Sequence, residues 1–274
     1  MNNAAQRIYV ESIGLFGTGF EHWAQGAAIL RGEQPFVATD FPLPSPEWLP
    51  PAERRRTSDI IRLALCAGRE ALTSANQAIT DTYTVFSSSG GSGEVIHQIC
   101  ESLVTPEREV SPTRFHNSVH NAPAGYWGIA TRNEFPSTSL CAHDASFAAG
   151  MLEAVAQSMQ CTQPVLLLVH DLKYPEPLNG VRAVMGLFSV ALLLRAGRTS
   201  EAKFSIDVSL AAHDPSMNAA GASVMNNAAL ENFRTSNPAA RSLPLLAAMA
   251  NRSNEMVVLE NVNGSRLLLD IHAL

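Results

Sequence analysis

The placement of histidine, aspartate, cysteine and glycine in this chain raises the question of chemistry. Three His-Asp dipeptides occur: His143-Asp144, His170-Asp171 and His213-Asp214. His and Asp together can ligate a metal or share a proton. Neighbours on a strand point to opposite faces, however, so one dipeptide seldom gives two ligands to one ion. The sequence holds neither HExxH nor a Cys/His quartet, so the dipeptides read as polar residues at strand ends, and no metal or other cofactor is expected. His116 and His120 would share a face only on a helix. Asn117, Asn121 and Pro123 interrupt that segment, which favours a loop or helix-start role over a catalytic pair. Cys141 with His143 or His116 offers a thiol and a base. The strongest cysteine nucleophiles sit at helix N-termini, where the dipole stabilises thiolate. Cys141 falls three residues before the expected helix and is read as a buried structural thiol, with a nucleophile as the alternative. Asp144 stands at the helix start, where a carboxylate can accept from free backbone N–H groups.

Two further features need weighing. Residues 87–93, Ser-Ser-Ser-Gly-Gly-Ser-Gly, join a strand to a helix as a phosphate cradle does. They match neither GxGxxG nor a P-loop, so a close-packed turn is expected. Arg54-Arg55-Arg56 reads as a solvated basic corner.

The elements that position these residues follow from pattern. Residues 7–16 are rich in β-formers and end at Gly17, which reads as a strand into a loop. Residues 41–51 hold five prolines and are expected as an ordered loop or arm. Thr57-Ser58-Asp59 is a cap signal before apolar residues at helical spacing over 60–72. Residues 82–86 read as a strand, and a helix is expected from the Gly/Ser loop to about Leu103. Residues 139–142 are expected as a short buried strand and 144–160 as a helix buried on most sides. Residues 164–169, Pro-Val-Leu-Leu-Leu-Val, lack alternation, as in a strand covered on both faces. Further strands are expected over 184–194 and 204–212, and helix over 216–250 with a break at Pro238. Residues 256–259 and 266–271 flank Asn263-Gly264, a hairpin signal.

Composition narrows the function classes. Of 274 residues, 46% are apolar and 16% charged, which excludes disorder and predicts a large core. The net charge is -6, against the basic surplus of a general nucleic-acid binder. No apolar run approaches the ~20 residues of a bilayer span, and residues 1–5 lack the marks of a signal peptide. The four cysteines show no CxxC spacing, so neither structural zinc nor a disulfide framework is expected. A cytoplasmic, single-domain α/β protein is the expectation.

Several segments, in order, resemble the N-terminal half of a β-ketoacyl synthase. Phe86 to Gly91 (FSSSGG) resembles that family's strand-end Gly-Gly loop, and Asn121-Ala122-Pro123-Ala124-Gly125 its Asn-x-x-Ala-Gly helix start. Pro136 to Asp144 (PSTSLCAHD) resembles the Gly-Pro-Ser strand that runs into the nucleophile elbow. Ala145 to Ala154 resembles the elbow helix, Pro164 to Val169 the strand after it, and residues 178–194 the segment beyond. The resemblance covers residues 7–212 and implies an α/β, thiolase-like (ketoacyl synthase) fold. One domain is expected over 1–274: an N-terminal half over 1–212 and a reduced C-terminal remnant over 213–274. The turn Asn261-Val262-Asn263-Gly264 resembles a remnant of the family's glycine-rich gate.

The departures from the family pattern carry the functional expectation. Asp144 stands where the synthase has its cysteine, and Cys141 falls three residues too early. The family's two catalytic histidine motifs have no counterpart here. Condensation needs a thiolate that exchanges acyl groups at little cost. A carboxylate would have to form a mixed anhydride, and without the histidines decarboxylation lacks electrostatic stabilisation. The resemblance therefore implies a non-catalytic subunit similar to the chain-length factors of bacterial aryl-polyene pathways. Such a subunit pairs with a full-length β-ketoacyl-ACP synthase and meets the acyl carrier protein indirectly. By resemblance, Val95, Ile96, Ile99 and Phe115 lie near the acyl tunnel. Ser137, Thr138, Ser139, Leu140, Cys141 and Ala142 form the dimer interface. A cysteine-dependent acyltransferase or thioesterase using Cys141, and a stand-alone acyl-binding or scaffold protein, are the alternatives.

Overall fold

The computed structural model describes residues 5–75, 77, 80–212 and 221–274. Eight strands form one sheet: β1 (Gln6–Gly17), β2 (Tyr83–Ser87), β3 (Ser137–Leu140), β4 (Val165–Leu172), β5 (Leu187–Arg195), β6 (Phe204–Ala211), β7 (Glu255–Glu260) and β8 (Arg266–Ala273). Their order is β3-β2-β4-β5-β1-β6-β8-β7. β3, β2 and β4 run parallel, and every other neighbouring pair is antiparallel. The helices are α1 (Trp23–Leu30), α2 (Pro51–Arg54), α3 (Asp59–Ser74), α4 (Gly93–Leu103), α5 (Pro112–Asn117), α6 (Ala122–Thr131), α7 (Ser146–Ser158), α8 (Leu178–Val181), α9 (Ala228–Ser236) and α10 (Leu243–Asn251).

Both faces of β4 are buried, as its unbroken apolar run predicts. Val165, Leu167 and Val169 enter a core shared with α7, α10 and the C-terminal strands. Leu166 and Leu168 enter a second core under α3 and α6. Gly14 of β1 lets α3 lie against the sheet, since a Cβ there would fall 1.9 Å from the Ala67 carbonyl oxygen.

β1 joins the two parts of the sheet. Residues 9–17 pair with β5 and residues 6–10 with β6, with a register shift between Val10 and Ser12. Such a bulge bends the strand and adds twist. The intervening Glu11 is buried, ion-paired to Arg195 at 2.9 Å, and accepts from Thr199 Oγ1 at 2.6 Å. Beyond the bend, β8 alternates: Leu267, Leu269 and Ile271 point inward, while Arg266, Leu268, Asp270 and His272 are half-exposed. That outer face is polar enough to meet water.

Several expectations need correction. The segment expected as a buried strand over 139–142 is β3, which ends at Leu140, lies at the sheet edge and is half-exposed. The helix expected from 144 begins as a 3-10 turn, His143–Ala145, and turns α-helical only at Ser146. Ser58 is the N-cap of α3, but its side chain makes no capping bond. β5 starts at Leu187, because Gly186 turns there with φ +61. Of the helical stretch expected over 216–250, residues 216–220 lie outside the described residues, as do His213-Asp214, and residues 221–227 are not helical. After that stretch, α9 and α10 flank a 3-10 turn, Ala239–Ser242, that follows Pro238. The Asn263-Gly264 hairpin is present, with both residues at positive φ.

Candidate functional site at the elbow

The parallel strands β3, β2 and β4 end side by side, with Ser87 opposite both Leu140 and Val169. Their following loops therefore converge at one end of the sheet, the usual place for a site in an open α/β sheet. The loops carry Cys141 to Asp144, Ser88 to Ser92, and Lys173 and Tyr174, with Asp171 at the end of β4.

The elbow is fixed from several sides. His143 adopts φ +53, an uncommon conformation outside glycine. Ser146 fastens the 3-10 turn, accepting from Ala142 N at 3.0 Å and donating to the His143 carbonyl at 2.7 Å. Ser87 donates to the Ser146 carbonyl at 2.7 Å, holding α7 to β2. Gly150 allows the approach, since a Cβ there would sit 2.9 Å from Ser87 Cβ.

Asp144 does not cap the helix as expected. The 3-10 turn displaces the helix start, and the carboxylate meets charged side chains instead. Arg182 Nη2 donates to Asp144 Oδ1 at 3.0 Å, Arg241 Nη2 lies 3.7 Å from Oδ2, and His143 Nδ1 lies 3.4 Å from Oδ1. Arg241 also bonds Glu260 on the C-terminal hairpin. Burial lowers the Arg241 pKa, with its acidic neighbour Asp144 opposing the shift.

The neighbouring strand end holds two buried titratable residues. Asp171 Oδ1 accepts from Ser89 N at 2.8 Å and Ser89 Oγ at 2.7 Å, while Oδ2 has no hydrogen-bond partner among the described residues. Burial pushes the Asp171 carboxyl up to about 7, against the two Ser89 bonds. Burial pulls His170 down to about 3, with His120 adding to the shift. The two face opposite ways, as strand alternation requires: His170 stacks edge-on to Phe86, and Asp171 meets Ser89. His120 contacts Ser88 Oγ at 3.1 Å from a loop, while His116 lies on α5 against Tyr126.

Cys141 is exposed, contrary to the buried thiol expected from the sequence. The cause is the edge position of β3, which leaves one side of the strand uncovered. The Cys141 thiol donates to the Ser89 carbonyl at 3.6 Å.

The expected tunnel residues do not share one cavity. Val95 is buried and lines a cleft of about 850 Å³ with Ile60, Leu172, Met185, Arg56 and Lys173. Phe115 is 69% exposed and lines a separate apolar groove of about 380 Å³ with Pro112, Val119 and Ala122. Ile96 is exposed and Ile99 half-buried on α4. Asn121 and Gly125 line the Phe115 groove and also a hollow of about 540 Å³ with Ser137 and Ser139. One continuous surface thus runs from Phe115 along α6 to the outer edge of β3, which pairs with no further strand among the described residues.

Among the described residues, one trio has metal-ligand types within reach: Asp207, Asp270 and His272 on β6 and β8. Arg7 already chelates Asp207, through Nε at 2.7 Å and Nη2 at 2.5 Å.

The profile of the family described as β-ketoacyl synthase, N-terminal domain, matches residues 23–256. The chain belongs to that family. Its thiolase-like fold is shared by solved ketosynthases. A chain of the ketosynthase ApeO in complex with its chain length factor ApeC, from Xenorhabdus doucetiae, is 22% identical, with TM-score 0.71. That match covers 96% of this chain and 98% of the other. The ishigamide ketosynthase/chain length factor is 15% identical, with TM-score 0.74, over 97% of this chain and 99% of that one. A β-ketoacyl synthase from Burkholderia phymatum is 11% identical, with TM-score 0.71, over 98% of this chain and 100% of that one. A search of curated proteins by sequence returns no match. Within this ketosynthase-like chain, Arg182, Arg241, Tyr174 and Glu260 went unread in the sequence. They lie in irregular segments or at strand ends, and no periodic pattern links them to Asp144.

Proposed function

We propose that this chain is a non-catalytic, chain-length-factor-like subunit that pairs with a full-length β-ketoacyl-ACP synthase and shapes its acyl tunnel. The observation that carries this reading is the state of Asp144. At the position that, by resemblance, corresponds to the family's cysteine stands a carboxylate held by Arg182 and flanked by Arg241. A carboxylate so paired is a weak nucleophile, and it forms no thioester.

The pairing surface follows from β3. The carbonyls of Pro136 and Leu140 accept from Thr84 N on β2 and from Ser88 N just beyond it. Backbone groups alternate in direction along a strand, so those of Ser137 and Ser139 face the open edge. An open edge is a template for another strand, and the adjoining apolar groove around Phe115 adds area for a partner. Two of the solved relatives are described as ketosynthase–chain length factor assemblies, which supports a synthase as that partner.

Co-expression with a full-length synthase tests the proposal. The expected result is a 1:1 complex that condenses acyl units, with no condensation by this chain alone. Turnover by the isolated chain, or no association, overturns it. The exposed thiol of Cys141 favours a second reading, a cysteine-dependent acyltransferase or thioesterase. Its hydrogen bond to a carbonyl opposes that reading, since a carbonyl is not a base that takes the thiol proton. Stoichiometric acyl-thioester labelling of Cys141 in the isolated chain would establish it.

A further inference from the structure

A chain of hydrogen bonds links the buried acid to the elbow. Ser89 Oγ lies 2.7 Å from Asp171 Oδ1 and 3.2 Å from the Tyr174 hydroxyl. Arg182 Nη1 donates to the Tyr174 oxygen at 3.0 Å, and Arg182 Nη2 donates to Asp144 at 3.0 Å. The Arg182 guanidinium also lies over the Tyr174 ring, 5.6 Å from its centroid. One arginine thus serves two carboxyl groups, one directly and one through two hydroxyls.

Arginine only donates, whereas both hydroxyls can reverse. With Asp171 ionised, one order is enforced: Arg182 to Tyr174, Tyr174 to Ser89, Ser89 to Asp171. With Asp171 protonated, its O–H can donate to Ser89, and Ser89 can then donate to Tyr174. The Tyr174 oxygen now has a second donor, and its hold on Arg182 weakens. The proton comes from bulk water, and no other group changes charge.

We propose that Asp171 is a proton-responsive switch whose ionisation sets how firmly Arg182 is shared between Tyr174 and the elbow carboxylate Asp144. The inference deepens the reading of Asp144 as a held, non-nucleophilic group. Burial, which places the Asp171 carboxyl near neutrality, puts the switch in a usable range. The charged and titratable groups around it are Arg182 and Tyr174 from the segment after β4, and Asp144 and His143 from the elbow. Arg241 lies beyond Asp144, His170 on the opposite face of β4, and Lys173 beside Tyr174 in sequence. On β5 the opposing residue is Phe188, which does not titrate.

The test is a carboxyl carbon NMR titration of the full chain labelled at aspartate. The expected wild-type result is an Asp171 midpoint near neutrality, with the Asp144 resonance stepping at the same pH. Tyr174→Phe removes the bridging hydroxyl without touching either acid, and it should abolish the Asp144 step. Asp171→Asn should abolish it too, and Tyr174→Phe suffices if that variant does not fold. An Asp171 midpoint in the ordinary carboxylate range, or an Asp144 step that survives Tyr174→Phe, overturns the proposal. Synthase binding is measured separately by co-purification, so failure of the switch is distinguishable from failure of the subunit reading.

Discussion

Replacing Asp144 with alanine separates a structural acid from a catalytic one. The carboxylate is 49% exposed, so its interactions are screened. Its bond to Arg182 at 3.0 Å and its contact with Arg241 at 3.7 Å are each worth at most about 1 kcal/mol after ordering costs. Arg241 keeps Glu260 when Asp144 is removed. The expected loss is therefore about 1 kcal/mol, or about 2 °C in Tm for a chain of this size. Arg182→Ala removes the same pair, the donor to Tyr174 and the stacking on its ring, and should cost about 2 kcal/mol. The double variant should show a coupling of about 0.5–1 kcal/mol. The assay is urea unfolding of the purified chain, beside condensation by the assembled complex. Asp144→Ala should retain substantial turnover. Complete loss of turnover in a correctly assembled complex refutes the reasoning, because a held, non-nucleophilic acid has no step to perform.

Ser139→Pro should abolish synthase binding while the chain stays folded, since it removes an edge-facing donor; Leu140→Pro should also damage the β2 ladder, and circular dichroism with co-purification distinguishes the two. Cys141 should react readily with iodoacetamide in the free chain and be protected in the complex, and Cys141→Ala should keep condensation; equal labelling in both states, read by peptide mass, removes it from the interface. Replacing Val95, Ile96, Ile99 and Phe115 singly with alanine and with larger residues should shift product length at one or more positions; unchanged length in every variant that assembles makes the chain a stabilising partner only. His170 is lowered in the folded chain, so the unfolded chain binds more protons and stability falls as pH drops from about 6.5 toward 3. Asp171 is raised, so its contribution is full below about 4 and is lost as pH rises through about 7. In urea titrations across pH, His170→Asn should flatten the acid limb and Asp171→Asn the neutral limb; parallel curves for wild type and variants refute the assignments.

The sequence was most informative where burial writes a pattern. The run over 164–169 announced a strand covered on both faces, and Leu166 and Leu167 do enter different cores. Asn263-Gly264 announced a hairpin because few other residues accept its backbone angles. The ordered segments from Phe86 to Leu194 carried the family resemblance, and the family match spans them. The edge position of β3 was invisible, because four residues of mixed polarity read alike at an edge and in a narrow interior. The exposure of Cys141 follows from that same position. The capping role expected of Asp144 failed because a 3-10 turn, which leaves no mark in composition, moved the helix start. The Arg182 and Arg241 contacts were illegible for a different reason. An ion pair joins distant points of the chain by tertiary geometry, and neither partner's local sequence encodes the other.

The free edge of β3 also makes the amount of this protein matter. Ser137 to Leu140 carries no lysine, proline or bulge, the devices that keep exposed strands from pairing indiscriminately. In the proposed assembly, copies made in excess of the synthase have only one another to pair with. Self-association then competes with the productive assembly, and it grows with the square of the unpaired concentration. If the proposed pairing holds, four residues of backbone make balanced synthesis of the two subunits a requirement. Overproduction of this chain alone should lower the yield of active complex even when the partner's level is unchanged.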